Sequence, residues 1–130
     1  MNELGAAMLA TGLAYVTNRF GIAKFGLAEV VWIGPALEEI GKTYLAVWLG
    51  ASVWWVHLLF GFFEGFWDIR SGAPHGVVAA LVSVIGHGVF GLLTIWGAGA
   101  YSSWGTGVLL GTGAHIIWNS YVVIYLVKRY

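Results

Sequence analysis

Residues 34–42 read GPALEEIGK, which places two adjacent carboxylates and a lysine inside an otherwise apolar run. Other apolar stretches add Glu29, His57, Glu64, His87 and His115 to Glu38, Glu39 and Lys42. A charge at the centre of a hydrocarbon layer costs about 2.5–3.5 kcal/mol on insertion scales, so such residues are few without a task. Carboxylates and imidazoles together suit two chemistries. Glu oxygen and His nitrogen from facing helices can bind a divalent metal such as zinc. A carboxylate can also serve as a general base without metal. Glu38, Glu39 and Glu64 against Lys42 leave excess negative charge, which a cation or a proton would relieve.

The elements that must position these residues follow from composition. The chain has 130 residues, 59% hydrophobic and 9% charged, with a mean hydropathy of +0.82. Soluble domains carry about 25% charged residues. The expectation is a single integral membrane domain, residues 1–130, all-α, a polytopic bundle of about five transmembrane helices. Gly, Pro and polar clusters place the spans at 3–18, 26–49, 53–69, 76–99 and 103–127. The connections are RFGIAK, GAS, RSGAPHG and GAYSS. The N-terminus lacks a basic region before its apolar stretch and reads as a retained first span. Zero formal net charge gives no reason to expect nucleic acid, and the absence of cysteine excludes thiolate chemistry.

Charge partition sets an orientation. With the N-terminus outside, the inner connections and tail hold Arg19, Lys24, Arg70, Lys128 and Arg129, every Lys and Arg except Lys42. Trp48, Trp54 and Trp55 flank the first outer turn; Trp96, Tyr101 and Trp104 flank the second. The expected location is a prokaryotic cytoplasmic membrane, with the C-terminus cytoplasmic. Residues 43–63 form an uncharged run that could instead be one continuous span.

Spacing then argues for a shared site. The midpoint of Glu38 and Glu64 falls inside GAS, that of Glu64 and His87 inside RSGAPHG, and that of His87 and His115 inside GAYSS. Helical hairpins bring residues equidistant from their turn to equal depth. Glu38 is 12 residues from Gly50, about 18 Å of helix and near the middle of a ~30 Å hydrocarbon core. On one continuous helix Glu38 and Glu64 would be about 39 Å apart. Lys42 lies one turn from Glu38, Asn119 one turn from His115, and His57 two turns from Glu64 on the same face.

EEIGK at 38–42, FGFFE at 60–64, the His of GHGVFG at 87 and HIIWN at 115–119 resemble, in order, the motifs of PrsW-type intramembrane proteases, relatives of the CAAX-processing membrane proteases. The resemblance covers about residues 34–120, in a chain shorter than expected of that family. It implies hydrolysis of peptide bonds within or beside the membrane, in a membrane-embedded or membrane-proximal protein or peptide. Carried over, Glu38 activates water, and Glu39 assists or binds metal. Glu64, His87 and His115 complete the metal or water site, with zinc the leading choice. Asn119 bonds the developing oxyanion, and Lys42 supports the glutamates. CAAX-type relatives leave a metal-free, glutamate-centred mechanism open.

Simpler readings stand beside these. His57 reads first as a packed or interfacial histidine, Glu29 and Asp68 as interfacial, Trp118 as packing. The glycines at 86, 88, 91, 107 and 111 read as close helix contacts. An ion or proton pathway, or an inactive membrane binding protein, is the alternative function.

Overall fold

The computed structural model describes residues 2–72, 75–122 and 124. It is all-helical among them: α1 Asn2–Phe25, a π-helical turn Glu29–Ile33, α2 Gly34–Trp48, α3 Val53–Arg70, α4 Gly76–Tyr101 and α5 Trp104–Val122. The turn at GAS is present, with Gly50 at φ 64°, so Glu38 and Glu64 lie on different helices. The expected ends of α3 and α4 differ from the observed ones by no more than two residues. The far end of the 103–127 span, Lys128, Arg129 and part of RSGAPHG lie outside the described residues.

Two expectations at the first connection need correction. RFGIAK is helical and belongs to α1. Gly21 alone costs a helix only about 1 kcal/mol, and no proline follows to stop it. The chain turns at Gly26 instead, at φ 56°, a conformation glycine adopts without steric cost. The 26–49 span is interrupted by the π turn, and Pro35 explains why. Proline has no N–H to give Val31, and its ring crowds that carbonyl. The backbone widens so that Gly34 N–H bonds Glu29 O, five residues back. Val30 O thereby loses its α-helical donor.

α3 packs most extensively on α4, and α4 on α5; α2 touches α1, α3 and α5. The close approaches use glycine. A Cβ at Gly65 would sit 3.0 Å from Ala80 Cα, and one at Gly61 3.0 Å from Val84 Cα. The apolar core is thin. One cluster joins Ala6, Ala7, Ala46, Val53 and Val56; another joins Ala10, Ala14 and Phe60. Ala80, Phe90, Ala98 and Val108 are buried outside these clusters, and polar side chains fill much of the remaining interior. Lys42, His57, His87, Glu29 and Glu39 are the largest fully buried side chains.

The exterior is the reverse. Leu9 and Phe20 on α1, Trp48 on α2, Phe66 on α3, Ile85 and Leu92 on α4, and Leu109 and Ile117 on α5 are all exposed. Among the described residues, α4 is the one helix long and apolar enough by itself to cross a membrane.

The glycine contacts give a direct test. Gly65→Val should overpack the α3–α4 contact and lower stability by about 1–3 kcal/mol. Gly113→Ala, where a Cβ meets nothing within 4 Å, should be neutral or stabilising by up to ~1 kcal/mol. Thermal unfolding followed by circular dichroism reads both, and equal behaviour would contradict the packing described.

Candidate functional site

Adjacent helical residues point about 100° apart, so Glu38 and Glu39 of α2 serve different neighbours. Glu39 faces the centre of the bundle and is fully buried. Its Oε1 accepts from Lys42 Nζ at 2.6 Å and lies 3.0 Å from His115 Nδ1. Its Oε2 lies 3.4 Å from His57 Nδ1. Three helices therefore converge on one carboxylate. Lys42 Nζ continues the chain to His87 Nδ1 at 2.9 Å. His87 Nε2 lies 2.8 Å from Glu64 Oε2, which also accepts from Ser83 Oγ at 2.7 Å.

Donor and acceptor chemistry fixes where the protons sit. An ammonium offers only donors, so His87 Nδ1 accepts from Lys42. His87 Nε2 then carries the hydrogen and gives it to Glu64. Glu39, paired with Lys42, accepts only. His115 Nδ1 therefore donates to it and Nε2 keeps its lone pair. Phe90 stacks on His115 with centroids 4.6 Å apart and 19° between planes, which locks that ring in place.

Glu38 faces α1. It is 7% exposed, and its Oε1 accepts from Asn18 Nδ2 at 2.9 Å. Its Oε2 has no partner among the described residues. One ligand-type atom each from Glu38, His87 and His115 come together within 4.8 Å. This grouping could hold a metal ion, but its donors are unequal. Glu38 Oε2 has no partner and His115 is bonded through Nδ1, whereas both His87 nitrogens are bonded. A catalytic zinc takes three protein ligands and an open position. The arrangement as it stands supplies two, and zinc would require His87 to release Lys42 or Glu64. Glu39 and Glu64, expected as ligands, lie outside that grouping and accept from His115 and His87.

Asn119 is placed by the π turn. Its Nδ2 donates to Val30 O at 2.9 Å, the carbonyl that Pro35 indirectly deprives of its donor. One Nδ2 hydrogen remains. Glu64 is the member of the cluster that reaches the surface, its side chain 43% exposed.

Four residues exceed their sequence reading. His57 is fully buried against Glu39 and lies 3.3 Å from Thr43 Oγ1; its place two turns from Glu64 was the available signal. Glu29, expected at an interface, is 1% exposed. Asn18 and Ser83 carry no charge and left no signal. Asp68 is half-buried near the end of α3.

Comparison with known protein families, with curated proteins and with solved structures finds no match.

The two glutamates should respond differently to neutralisation. Glu39→Gln strands Lys42 in the interior and should cost about 3–5 kcal/mol. Glu38→Gln keeps an oxygen for Asn18 and should change stability by less than ~1 kcal/mol. Thermal unfolding of the pair reads the contrast. A larger loss from Glu38→Gln would reverse the roles assigned here.

Proposed function

We propose that this chain is an intramembrane peptidase of the glutamate type, in which Glu38 activates water against a peptide carbonyl. The observation that carries the reading is the Glu38 carboxylate. It is buried, one of its oxygens is held and the other has no partner, and the carboxylate belongs to the same close group as His87 and His115. The order and type of the motifs, similar to those of PrsW-type proteases, support it.

The membrane location rests on the inverted distribution of residues. Large apolar side chains face outward on all five helices while charged groups fill the interior. So much exposed apolar surface is costly to hydrate in water, whereas lipid accommodates it. The chain is accordingly read as a polytopic bundle with its N-terminus outside. Cysteine labelling at Ser102 or Ser103 should occur from the outside; labelling from the cytoplasmic side would invert the topology.

In the proposed reaction Glu38 Oε2 takes a proton from water as the water oxygen attacks the carbonyl carbon. His115 Nε2 accepts the second water hydrogen and fixes its direction. The carbonyl oxygen gains negative charge, for which the remaining Asn119 N–H is the donor suggested by the resemblance. Glu38 then gives its proton to the departing amine as the C–N bond breaks. Lys42 balances Glu39, so that Glu39 holds His115 in the correct tautomer rather than reacting.

Glu38→Gln should abolish cleavage of a reconstituted membrane peptide while leaving the fold intact. Cleavage should persist in strong chelator. Loss on chelation and recovery with zinc would establish the metal reading in its place. The second reading is an ion or proton pathway, favoured by the unbroken chain Glu64–His87–Lys42–Glu39–His115. Wild-type cleavage by Glu38→Gln, with loss of ion flux in liposomes, would select it.

A further inference from the structure

Outside the Glu39 network lies a second polar locus, between α1 and the π turn. Glu29 opens that turn and is 1% exposed. Neither of its carboxylate oxygens has a hydrogen-bond partner among the described residues. The carboxylate fills a notch in α1: a Cβ at Gly21 would collide with Glu29 Cδ, Oε1 and Oε2. One turn earlier on the same face of α1 stands Asn18, whose Oδ1 is likewise buried without a partner. Gly34 ties the two together. A Cβ there would lie 3.1 Å from Asn18 Oδ1 and 2.9 Å from the backbone carbonyl oxygen of Glu29, so Asn18 Oδ1 faces the turn that carries the Glu29 carboxylate.

Every unsatisfied atom in this locus is an acceptor. The nearby cations on α1 are engaged elsewhere: Arg19 Nη1 lies 3.5 Å from Tyr15 Oη, and Lys24 Nζ stands over the Phe25 ring at 5.1 Å. A buried carboxylate without donor or counter-charge is costly. A proton on Glu29 would supply one donor and leave the other oxygens unserved. A cation serves several at once. The ligands are all oxygen, which selects a hard ion, and one carboxylate balances one charge.

We infer that Glu29 and Asn18 Oδ1 form a binding site for a hard monovalent cation such as sodium, separate from the Glu38 site but linked to it by Asn18. The linkage is geometric. Asn18 would hold the ion by Oδ1 while its Nδ2 holds Glu38 Oε1 at 2.9 Å. An ion in the notch therefore fixes the amide in the orientation that grips Glu38, and Glu38 in turn favours the ion by the same factor.

The test needs no peptidase activity. Detergent-solubilised protein is unfolded thermally in sodium chloride and in choline chloride at equal ionic strength. Sodium at ten times its dissociation constant should raise the wild-type midpoint by about 5 °C, and Glu29→Gln should remove the difference. Should Glu29→Gln fail to fold, Gly21→Ala, which displaces the carboxylate, provides a second variant. Equilibrium dialysis of wild type with radiolabelled sodium provides a direct count. Equal midpoints in the two salts, or no sodium retained on dialysis, would overturn the site.

Discussion

The ion pair between Glu39 and Lys42, 2.6 Å long with both side chains fully buried, is the constraint on which the rest depends. Two charges one helical turn apart cannot stay in an apolar interior on mutual attraction alone. The desolvation penalty of several kcal/mol per ion must be met by further hydrogen bonds. His115 bonds Glu39 from α5 and His87 bonds Lys42 from α4, while His57 of α3 brings its Nδ1 to 3.4 Å from Glu39 Oε2 without a hydrogen bond. The pair thus dictates that α3, α4 and α5 each carry an imidazole at its level. Gly91 and Gly111 follow from the same demand. A Cβ at Gly91 would sit 2.9 Å from His57 Cβ, and one at Gly111 3.1 Å from Glu39 Oε2.

Pro35 is the second constraint, and its effect is transmitted through backbone accounting. The missing N–H widens one turn, the wide turn frees Val30 O, and Asn119 supplies the lost hydrogen bond. The same turn swings Glu29 inward toward the notch at Gly21. One proline therefore sets the orientation of Asn119 at one side of α2 and buries a carboxylate at the other. π turns inside α-helical segments are frequent at functional sites, and here the turn borders both polar loci.

What the sequence made legible was what periodicity and symmetry can carry. Equal spacing of Glu38, Glu64, His87 and His115 about three turns foretold their convergence, because helix rise is constant and hairpin turns are short. The choice of atoms was not legible. Which of Glu38 and Glu39 faces the cluster depends on the rotation of α2, and the rotation depends on the π turn. Glu64 and Glu39 look like ligands until the donors of Lys42 and Ser83 are placed against them. Asn18 was hidden for another reason: α1 continues through a stretch that composition marks as a connection, so a residue expected at a helix end lies against Glu38. His57 was visible as a spacing but not as a partner, since its role follows from Glu39 pointing inward.

The adjacency of Glu38 and Glu39 divides labour by direction. Successive helical side chains point about 100° apart, so Glu38 leans toward α1 and Glu39 toward the bundle centre, although both carboxylates come near His115. The inward one meets nitrogen from three helices and is neutralised. The outward one meets a single amide, which satisfies one oxygen and leaves the other open. A lone glutamate would have to hold the network together and also keep an oxygen open. Splitting the tasks lets Glu39 remain a fixed counter-charge while Glu38 keeps a free lone pair. It also makes Glu38 dependent on Asn18, and through Asn18 on whatever occupies the notch beside Glu29. The open oxygen of Glu38 is thus governed from α1, the helix that contributes none of the motif residues.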